Sequence, residues 1–188
     1  MNTSWAQLLN DIGACTSCRL CEKRTQPVPG EGRPDAALMF IGEGPGRDED
    51  LQGRPFVGAS GQLLDRMIHA IGMDRTDVYI ANVVKCRPPL NRNPEPDEAA
   101  ACLPFLRRQF VLVRPKVIVL LGKVACRYVL NDERPISLLR GSWVQKKNVW
   151  FMPTYHPSAL LRDPSKKRDA WEDFKAVRQK LKELSGDE

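Results

Sequence analysis

ALMFIGE, residues 37–43, is a short unbroken apolar run that ends in glycine and glutamate. A run of this kind predicts a strand buried on both faces, as the strands of a parallel sheet are. Two similar runs follow, VYIANVVKC at 78–86 and KVIVLLG at 116–122. Segments with apolar residues at helical spacing separate the runs. This alternation predicts an α/β protein whose parallel sheet is covered by helices on both faces.

Capping residues predict where several helices begin and end. The helix that follows the second glycine-rich stretch is expected to begin at Ser60 and to end at Gly72. Residues 96–113 start with proline and acids, as helices do, and Pro104 is expected to kink this helix. Shorter helices are predicted for SWAQLLNDIGAC near the start of the chain and for KVACRYVL after the third strand.

The last part of the chain predicts a hairpin and a long helix. WVQKKNVWFMP is typical of a hairpin that turns at Lys147 and Asn148, although its second arm could instead join the main sheet. A helix is expected from about Pro164 to Leu184.

The composition suits one cytoplasmic domain with a nucleic-acid partner. The chain has 188 residues, a net charge of +6 and a pI of about 9.1. Such a length buries a core without disulfides, and neither a signal peptide nor a membrane-spanning segment is evident. We therefore expect a single domain over residues 1–188 in a reducing cytoplasm. The positive charge fits a nucleic-acid partner, although charge alone is weak evidence.

Five of the six cysteines have a spacing that favours a metal site. Cys15 and Cys18 form a C-x2-C pair, Cys18 and Cys21 form another, and Cys86 and Cys102 lie further along the chain. Four thiolates in two separated pairs hold either zinc or an iron–sulfur cluster. The wide second pair favours a cluster, whereas spacing alone does not choose between Cys18 and Cys21. Cys126, the sixth, lies among apolar residues and is expected to be buried.

The glycine-rich stretch GEGPGRDED, residues 42–50, fails the nucleotide-binding motifs that it superficially resembles. Arg47 occupies the third glycine position of the dinucleotide pattern. In GRPFVGAS, residues 53–60, Ala59 stands where a phosphate-binding loop requires lysine. Zinc deaminase motifs are also absent from the sequence. The glycines then either let the backbone approach a flat ligand or form a tight turn without one.

Four motifs in this order resemble the iron–sulfur uracil-DNA glycosylases of family 4: GEGPGRDED, GRPFVGASGQLL, NVVKCRPPLNRNP and HPSALLRDP, preceded by CTSC. The resemblance implies a three-layer α/β/α sandwich with a short central parallel sheet and an N-terminal cluster-binding segment. It also implies a [4Fe-4S] cluster on Cys15, Cys18, Cys86 and Cys102, which leaves Cys21 spare.

The activity implied by this resemblance is hydrolysis of the N-glycosidic bond of uracil in DNA, which leaves an abasic site and initiates base excision repair. The implied partner is uracil-containing DNA, and the protein is expected to be a monomer that is nucleoid-associated in a prokaryote. The alternatives are a non-catalytic nucleic-acid-binding module with a metal-stapled loop and a small iron–sulfur redox protein.

The resemblance also assigns roles to single residues of the substrate site. Phe56 is expected to stack on the extruded base, and the amide of Asn82 to pair with the uracil edge. His156 is expected to donate a hydrogen bond to uracil O2 as charge develops on the leaving base. The backbone of Gly44 is a further uracil contact, and Glu49 is expected to exclude a methyl group at C5.

Water and DNA contacts are the remaining expected roles. Gly44 stands where better-known uracil glycosylases have an aspartate, so Glu43 or Asn91 is expected to position the water. Leu160, Leu161 and Arg162 are expected to fill the gap that the extruded base leaves. Two clusters of cations are further candidates for phosphate contacts, namely Lys85, Arg87 and Arg92 in one and Lys166, Lys167 and Arg168 in the other.

Overall fold

Six strands form one mixed sheet in a computed structural model of the chain, which describes residues 4–186. The strands are β1 (Glu31–Gly32), β2 (Leu38–Gly42), β3 (Tyr79–Asn82), β4 (Val117–Leu121), β5 (Val144–Lys146) and β6 (Val149–Thr154). Their order in the sheet is β1-β3-β2-β4-β6-β5, with the inner four parallel and the two edge strands antiparallel. Residues 1–3 and 187–188, the ends of the predicted domain, lie outside the described residues.

Helices cover both faces of the sheet, which makes the three-layer α/β/α sandwich that the resemblance implies. The helices are α1 (Trp5–Gly13), α2 (Arg47–Gln52), α3 (Ala59–Ala70), α4 (Pro96–Val113), α5 (Lys123–Leu130), α6 (Ile136–Leu139), α7 (Pro157–Arg162) and α8 (Lys167–Ser185). On one face α4 and α5 pack against the sheet, and α1 lies against α4. On the other face α3 and α8 pack against the sheet. No helix of the described part is long and apolar enough to cross a membrane.

The register of the parallel strands gathers their carboxyl ends at one edge of the sheet. Gly42 at the end of β2 lies beside Asn82 at the end of β3, and Leu121 of β4 lies beside Thr154 of β6. In open α/β sheets the crevice outside the carboxyl ends of the strands is the usual ligand site. The chain segments that follow these four strands contain most of the residues predicted to be functional.

The helix caps differ from the sequence prediction at α3. This helix begins at Ala59, with Gly58 as its N-cap, so Ser60 lies inside the first turn instead of capping it. The Glu49 carboxylate accepts the N–H groups of Val57 and Gly58, both at 2.8 Å, and so holds the N-cap residue and the residue before it. Helix α4 continues through Pro104, where a kink is predicted.

The segment around Lys147 forms the predicted hairpin, and the second arm of this hairpin also joins the main sheet. Lys146 of β5 pairs with Val149 of β6, which leaves Lys147 and Asn148 as a two-residue turn. Lys147 has a φ of 54°, as such tight hairpin turns require. Because β6 also pairs in parallel with β4, the second arm of the hairpin belongs to the main sheet.

Candidate active site

A cavity of about 410 Å³ opens at the carboxyl edge of the parallel strands. Nine of the residues predicted for catalysis, substrate contact or DNA contact line it: Glu43, Gly44, Glu49, Phe56, Asn82, Asn91, Arg92, His156 and Arg162. They come from six separate segments of the chain, so only the tertiary structure brings them together.

Phe56 lies in the cavity wall in a backbone conformation that is unusual for its residue type. Its φ is 51°, and the residue is only 5% exposed. The close approach of Gly61 allows this conformation, since a Cβ there would lie 1.8 Å from the Phe56 carbonyl oxygen. The Arg75 guanidinium donates to that oxygen at 3.1 Å and to the carbonyl oxygen of Pro55. These contacts hold the phenyl ring beside the His156 ring, with the two centroids 5.6 Å apart.

Asn82 places an unpaired amide oxygen at the end of β3. The residue is 2% exposed, and its Oδ1 is buried without a hydrogen-bond partner among the described residues. A buried acceptor left without a partner costs about 1–3 kcal/mol, so a ligand that donates to it would recover this free energy. Gly42 leaves space beside this amide, because a Cβ at residue 42 would lie 2.5 Å from both Asn82 Oδ1 and Phe56 Cζ.

His156 is held as a neutral ring whose tautomer follows from its hydrogen bonds. It is the N-cap of α7, and its Nδ1 accepts the backbone N–H of Ser158 at 3.1 Å. Burial lowers the pKa of His156 to about 4, and the nearby Arg162 guanidinium adds to this effect. At neutral pH the ring is therefore uncharged, and since Nδ1 accepts, Nε2 carries the proton. Nε2–H is then the hydrogen-bond donor that the ring can offer to a ligand.

Glu49 fastens two loops of the site to each other. Its carboxylate accepts the N–H of Gly46 at 3.1 Å in addition to those of Val57 and Gly58. The turn after β2 is thereby tied to the loop that presents Phe56. This positioning role was not predicted from the sequence, and it occupies both oxygens of the carboxylate that also lines the cavity.

The two residues expected to position water also line the cavity, in different environments. Burial raises the pKa of Glu43 to about 7, and no described residue is hydrogen-bonded to its carboxyl group. Asn91 is exposed, with a φ of 55°, and its Oδ1 accepts from Arg87 Nε at 2.8 Å. At Gly44 a Cβ would lie 2.7 Å from Val84 Cγ2, so packing alone requires a small residue there.

A second, smaller cavity is lined by thiols. It lies between the segment after α1 and the segment that joins β3 to α4, and its cysteines are Cys15, Cys18, Cys21, Cys86 and Cys102. The Arg24 guanidinium donates to Cys86 Sγ at 3.1 Å, and the Lys85 backbone N–H donates to Cys102 Sγ at 3.2 Å. Cys126 is fully buried elsewhere, as its apolar surroundings predict.

The thiols that line this cavity are a donor set whose chemistry suits an iron–sulfur cluster. Within residues 4–186, no three side chains of His, Cys, Asp or Glu are grouped closely enough to hold one metal ion. In a [4Fe-4S] cluster each cysteine binds a different iron, so the thiolates stand farther apart than the ligands of one ion. N–H donors to the sulfurs are also a typical feature of cluster sites.

The comparisons with known proteins agree with the geometry. A family model described as the uracil DNA glycosylase superfamily matches residues 29–176. The chain belongs to this superfamily. A type-4 uracil-DNA glycosylase of Sulfurisphaera tokodaii is 45% identical to it, over 94% of this chain and 84% of the relative. One of Thermotoga maritima is 45% identical over 91% of each chain, and one of Saccharolobus solfataricus is 42% identical over 93% and 85%.

The uracil-DNA glycosylase fold confirms the predicted fold class. The DNA contact expected of Leu160, however, is wrong. Leu160 is only 1% exposed and packs in a small cluster with Leu63, Tyr155 and Ala170. Because the short helix α7 turns one side toward this cluster, Leu160 has no surface to offer to DNA. Leu161 is 41% exposed, so it is the leucine of this pair that can contact DNA.

The phosphate contact predicted for Lys85 is also wrong. The side chain is buried, and its Nζ donates to the Asn82 carbonyl oxygen and to Gln109 Oε1, both at 2.7 Å. Two acceptors offset the cost of burying the ammonium group. Lys85 thus supports the strand end that carries Asn82, and it cannot reach a phosphate.

Two residues that support the site, Arg75 and Glu98, were not predicted from the sequence. Arg75 holds the Phe56 loop, and the carboxylate of Glu98 holds the loop before α4. The Arg92 guanidinium donates to Glu98 at 2.7 and 2.8 Å, and Arg19 donates to it at 2.7 Å. These hydrogen bonds lower the pKa of the fully buried Glu98 to about 2. No local pattern reveals such partners, since most of them are distant in the sequence.

Proposed function

We propose that this protein hydrolyses the N-glycosidic bond of uracil in DNA, leaves an abasic site and so initiates base excision repair. The observation that carries the proposal is the unpaired buried amide oxygen of Asn82, which lies in one cavity with Phe56 and a neutral His156. A base in duplex DNA must leave the stack before its glycosidic bond can be attacked. A cavity with an aromatic ring and an unpaired amide oxygen suits a flat, polar base.

Asn82 and Phe56 together are proposed to select uracil. An amide offers one acceptor and one donor, which match N3–H and O4 of uracil, whereas cytosine presents the reverse pattern. The Phe56 ring stacks on the face of the base, and the Gly44 backbone contacts its edge. Glu49 is proposed to limit the space at C5, so that thymine is excluded.

His156 is proposed to stabilise the leaving base. As the bond to C1′ breaks, negative charge develops on uracil, and the Nε2–H of a neutral imidazole donates to O2. The sugar acquires oxocarbenium character, as in other glycoside hydrolysis, and water attacks C1′. No lysine takes part in these steps, so the enzyme is proposed to be monofunctional and to leave the DNA strand uncut.

Glu43 is proposed to position and deprotonate the attacking water, with Asn91 as the alternative. Since burial raises its pKa to about 7, the carboxylate form increases as the pH rises through neutrality. We expect kcat/KM to rise about tenfold per pH unit below pH 7 and to level off above it. The pKa of His156, about 4, predicts no further change between pH 5 and 8. A series of single-turnover rates over this range measures the profile.

Two variants separate Glu43 from Asn91 in this experiment. Glu43→Gln is expected to be slow at every pH, with the rising limb near pH 7 removed, whereas Asn91→Ala keeps that limb. A wild-type profile that is flat from pH 5 to 8 would contradict the role of Glu43.

We further propose that Cys15, Cys18, Cys86 and Cys102 hold a [4Fe-4S] cluster whose role is structural. The five thiols around one cavity and the N–H donors to two of them support this assignment. Four cysteine ligands leave no open position for chemistry at the metal. The cluster would instead join the N-terminal segment to the loop after β3, which carries Asn91 and borders the cavity.

Removing a proposed cluster ligand is expected to cost both the cluster and stability. Alanine at any one of the four positions should abolish the visible absorbance and lower both the iron content and the melting temperature, because the two segments lose their common anchor. Cys21→Ala and Cys126→Ala are the matched controls and are expected to keep the iron. Zinc and no colour in the wild-type protein would contradict the iron–sulfur assignment.

A uracil-containing oligonucleotide tests the activity directly. Incubation with the protein followed by hot alkali is expected to cleave the DNA at the former uracil, whereas omission of alkali leaves the strand intact. DNA that binds but remains uncut after alkali, at every salt concentration, would instead identify the non-catalytic binding module.

The remaining contacts are proposed to be with the phosphates and the base stack. Leu161 and Arg162 beside the cavity, with Arg87 and Arg92 across the loop before α4, are the proposed DNA-binding residues. The protein is proposed to act as a monomer and to work in the cytoplasm on nucleoid DNA.

A further inference from the structure

Leu90 is an apolar side chain held almost fully in solvent beside the cavity. It is 96% exposed, the highest value among the exposed large hydrophobic residues of the described chain. Its φ of 55° is unfavourable for leucine, and Asn91 next to it has the same φ. Pro88, two residues before it, and Asn91, directly after it, line the cavity. Leu90 thus combines an exposed apolar group with a strained backbone at the rim of the proposed active site.

The turn that carries Leu90 is firmly held. The N–H groups of Asn91 and Arg92 donate to the carbonyl oxygens of Pro88 and Pro89, both at 3.1 Å. The Arg87 side chain donates to the Asn91 amide, and the buried carboxylate of Glu98 binds the Arg92 guanidinium. The backbone that carries Leu90 is therefore already ordered, so a contact made by its side chain costs little additional conformational entropy.

The surroundings of Leu90 match nucleic acid. Arg87 and Arg92 flank it in sequence, and Arg92, Lys123 and Arg162 contribute positive charge to the lining of the cavity. A cationic rim with a projecting aliphatic side chain suits a partner with phosphates outside and flat apolar surfaces inside, as stacked bases have.

We propose that Leu90 inserts into the base stack of duplex DNA, at the gap left when the uracil nucleotide enters the cavity. The inference rests on the proposed function. The sequence assigns the filling of this gap to the HPSALLR segment alone, and Leu90 adds a contact from a second loop. With Leu160 buried, Leu90 on the loop before α4 and Leu161 on α7 are the two exposed leucines next to cavity-lining residues. The apolar side chain fills the gap and slows the return of the extruded base.

Leu90→Gly tests this role without endangering the fold. Glycine adopts a φ near 55° without strain, so the variant should be at least as stable as the wild type. For uracil opposite guanine in duplex DNA, we expect kcat/KM to fall by about tenfold or more, which corresponds to about 1.4 kcal/mol. For uracil in single-stranded DNA there is no stack to hold open, and we expect a change of less than about twofold. Leu9→Ala, an exposed leucine on α1, is the control for loss of apolar surface.

A fluorescent base analogue next to the uracil reports insertion itself. In the inactive His156→Ala background, binding of duplex DNA is expected to unstack 2-aminopurine and raise its fluorescence, and adding Leu90→Gly should remove most of the rise. Equal losses on single-stranded and duplex DNA, or no loss on either, would overturn the role of Leu90. A wild-type protein inactive on single strands as well as duplexes would overturn the proposed function instead.

Discussion

Replacing His156 with alanine is expected to lower kcat for uracil release by about 10²–10³-fold, or about 2.7–4 kcal/mol. The neutral ring offers Nε2–H to the oxygen on which charge develops, and this hydrogen bond strengthens only as the bond to the sugar breaks. KM should therefore change much less than kcat. Single-turnover release of uracil from a labelled oligonucleotide measures the effect, with DNA affinity measured separately by titration.

The other histidine provides a matched control. The side chain of His69 is 81% exposed on α3, and His69→Ala is expected to leave kcat unchanged. His156 also caps α7, so its removal is expected to lower stability by about 1 kcal/mol. His156→Asn keeps a capping side chain and should recover stability but not activity. Full activity of His156→Ala in a folded protein would refute the proposed role.

Asn82→Ala is expected to lower uracil excision by about two orders of magnitude or more without lowering the melting temperature. The melting temperature is expected to stay the same because the buried Oδ1 has no partner among the described residues, so its loss costs the folded protein no hydrogen bond. With substrate bound, the variant instead leaves the uracil edge unpaired in a desolvated pocket. Thermal unfolding and single-turnover rates on the same preparation measure the two quantities.

Thr154→Val is the contrasting change at a neighbouring strand end. The Thr154 hydroxyl donates to the buried Asp173 carboxylate at 2.6 Å, so its loss is expected to lower stability. A marked drop in melting temperature for Asn82→Ala would show that the amide has a structural role instead. Retained excision would remove Asn82 from the proposed base contact.

The order of strands and helices follows from local patterns because burial on both faces leaves a clear apolar run. KVIVLLG at 116–122 predicts a strand that the structure places at Val117–Leu121. The hairpin at Lys147 was also predicted, because a two-residue turn has a local signature. The start of α3 was not predicted, since its N-cap residue Gly58 is held by Glu49, a residue of an earlier helix, and no pattern near Ser60 indicates this contact.

The candidate site was predicted as a set of residue types but not as an arrangement. The four motifs name Glu43, Phe56, Asn82 and His156, and the family comparisons confirm the superfamily that the motifs imply. Their roles remain proposals. The motifs do not reveal that the Asn82 amide oxygen has no partner among the described residues, nor which tautomer the His156 ring adopts. Both depend on which distant segments pack around the cavity.

By itself the sequence determined the alternation of strands and helices, the membership of the superfamily and the residue types available for chemistry. Only the tertiary structure decided which side chains face inward. Lys85 looks like a surface cation in the sequence, yet it stays buried because its ammonium group donates hydrogen bonds to the Asn82 carbonyl oxygen and to Gln109 Oε1 of a separate helix. Leu160 and Leu90 are equally apolar, but one packs into the core and the other projects from a braced turn into solvent. Burial depends on long-range neighbours, which local periodicity does not contain.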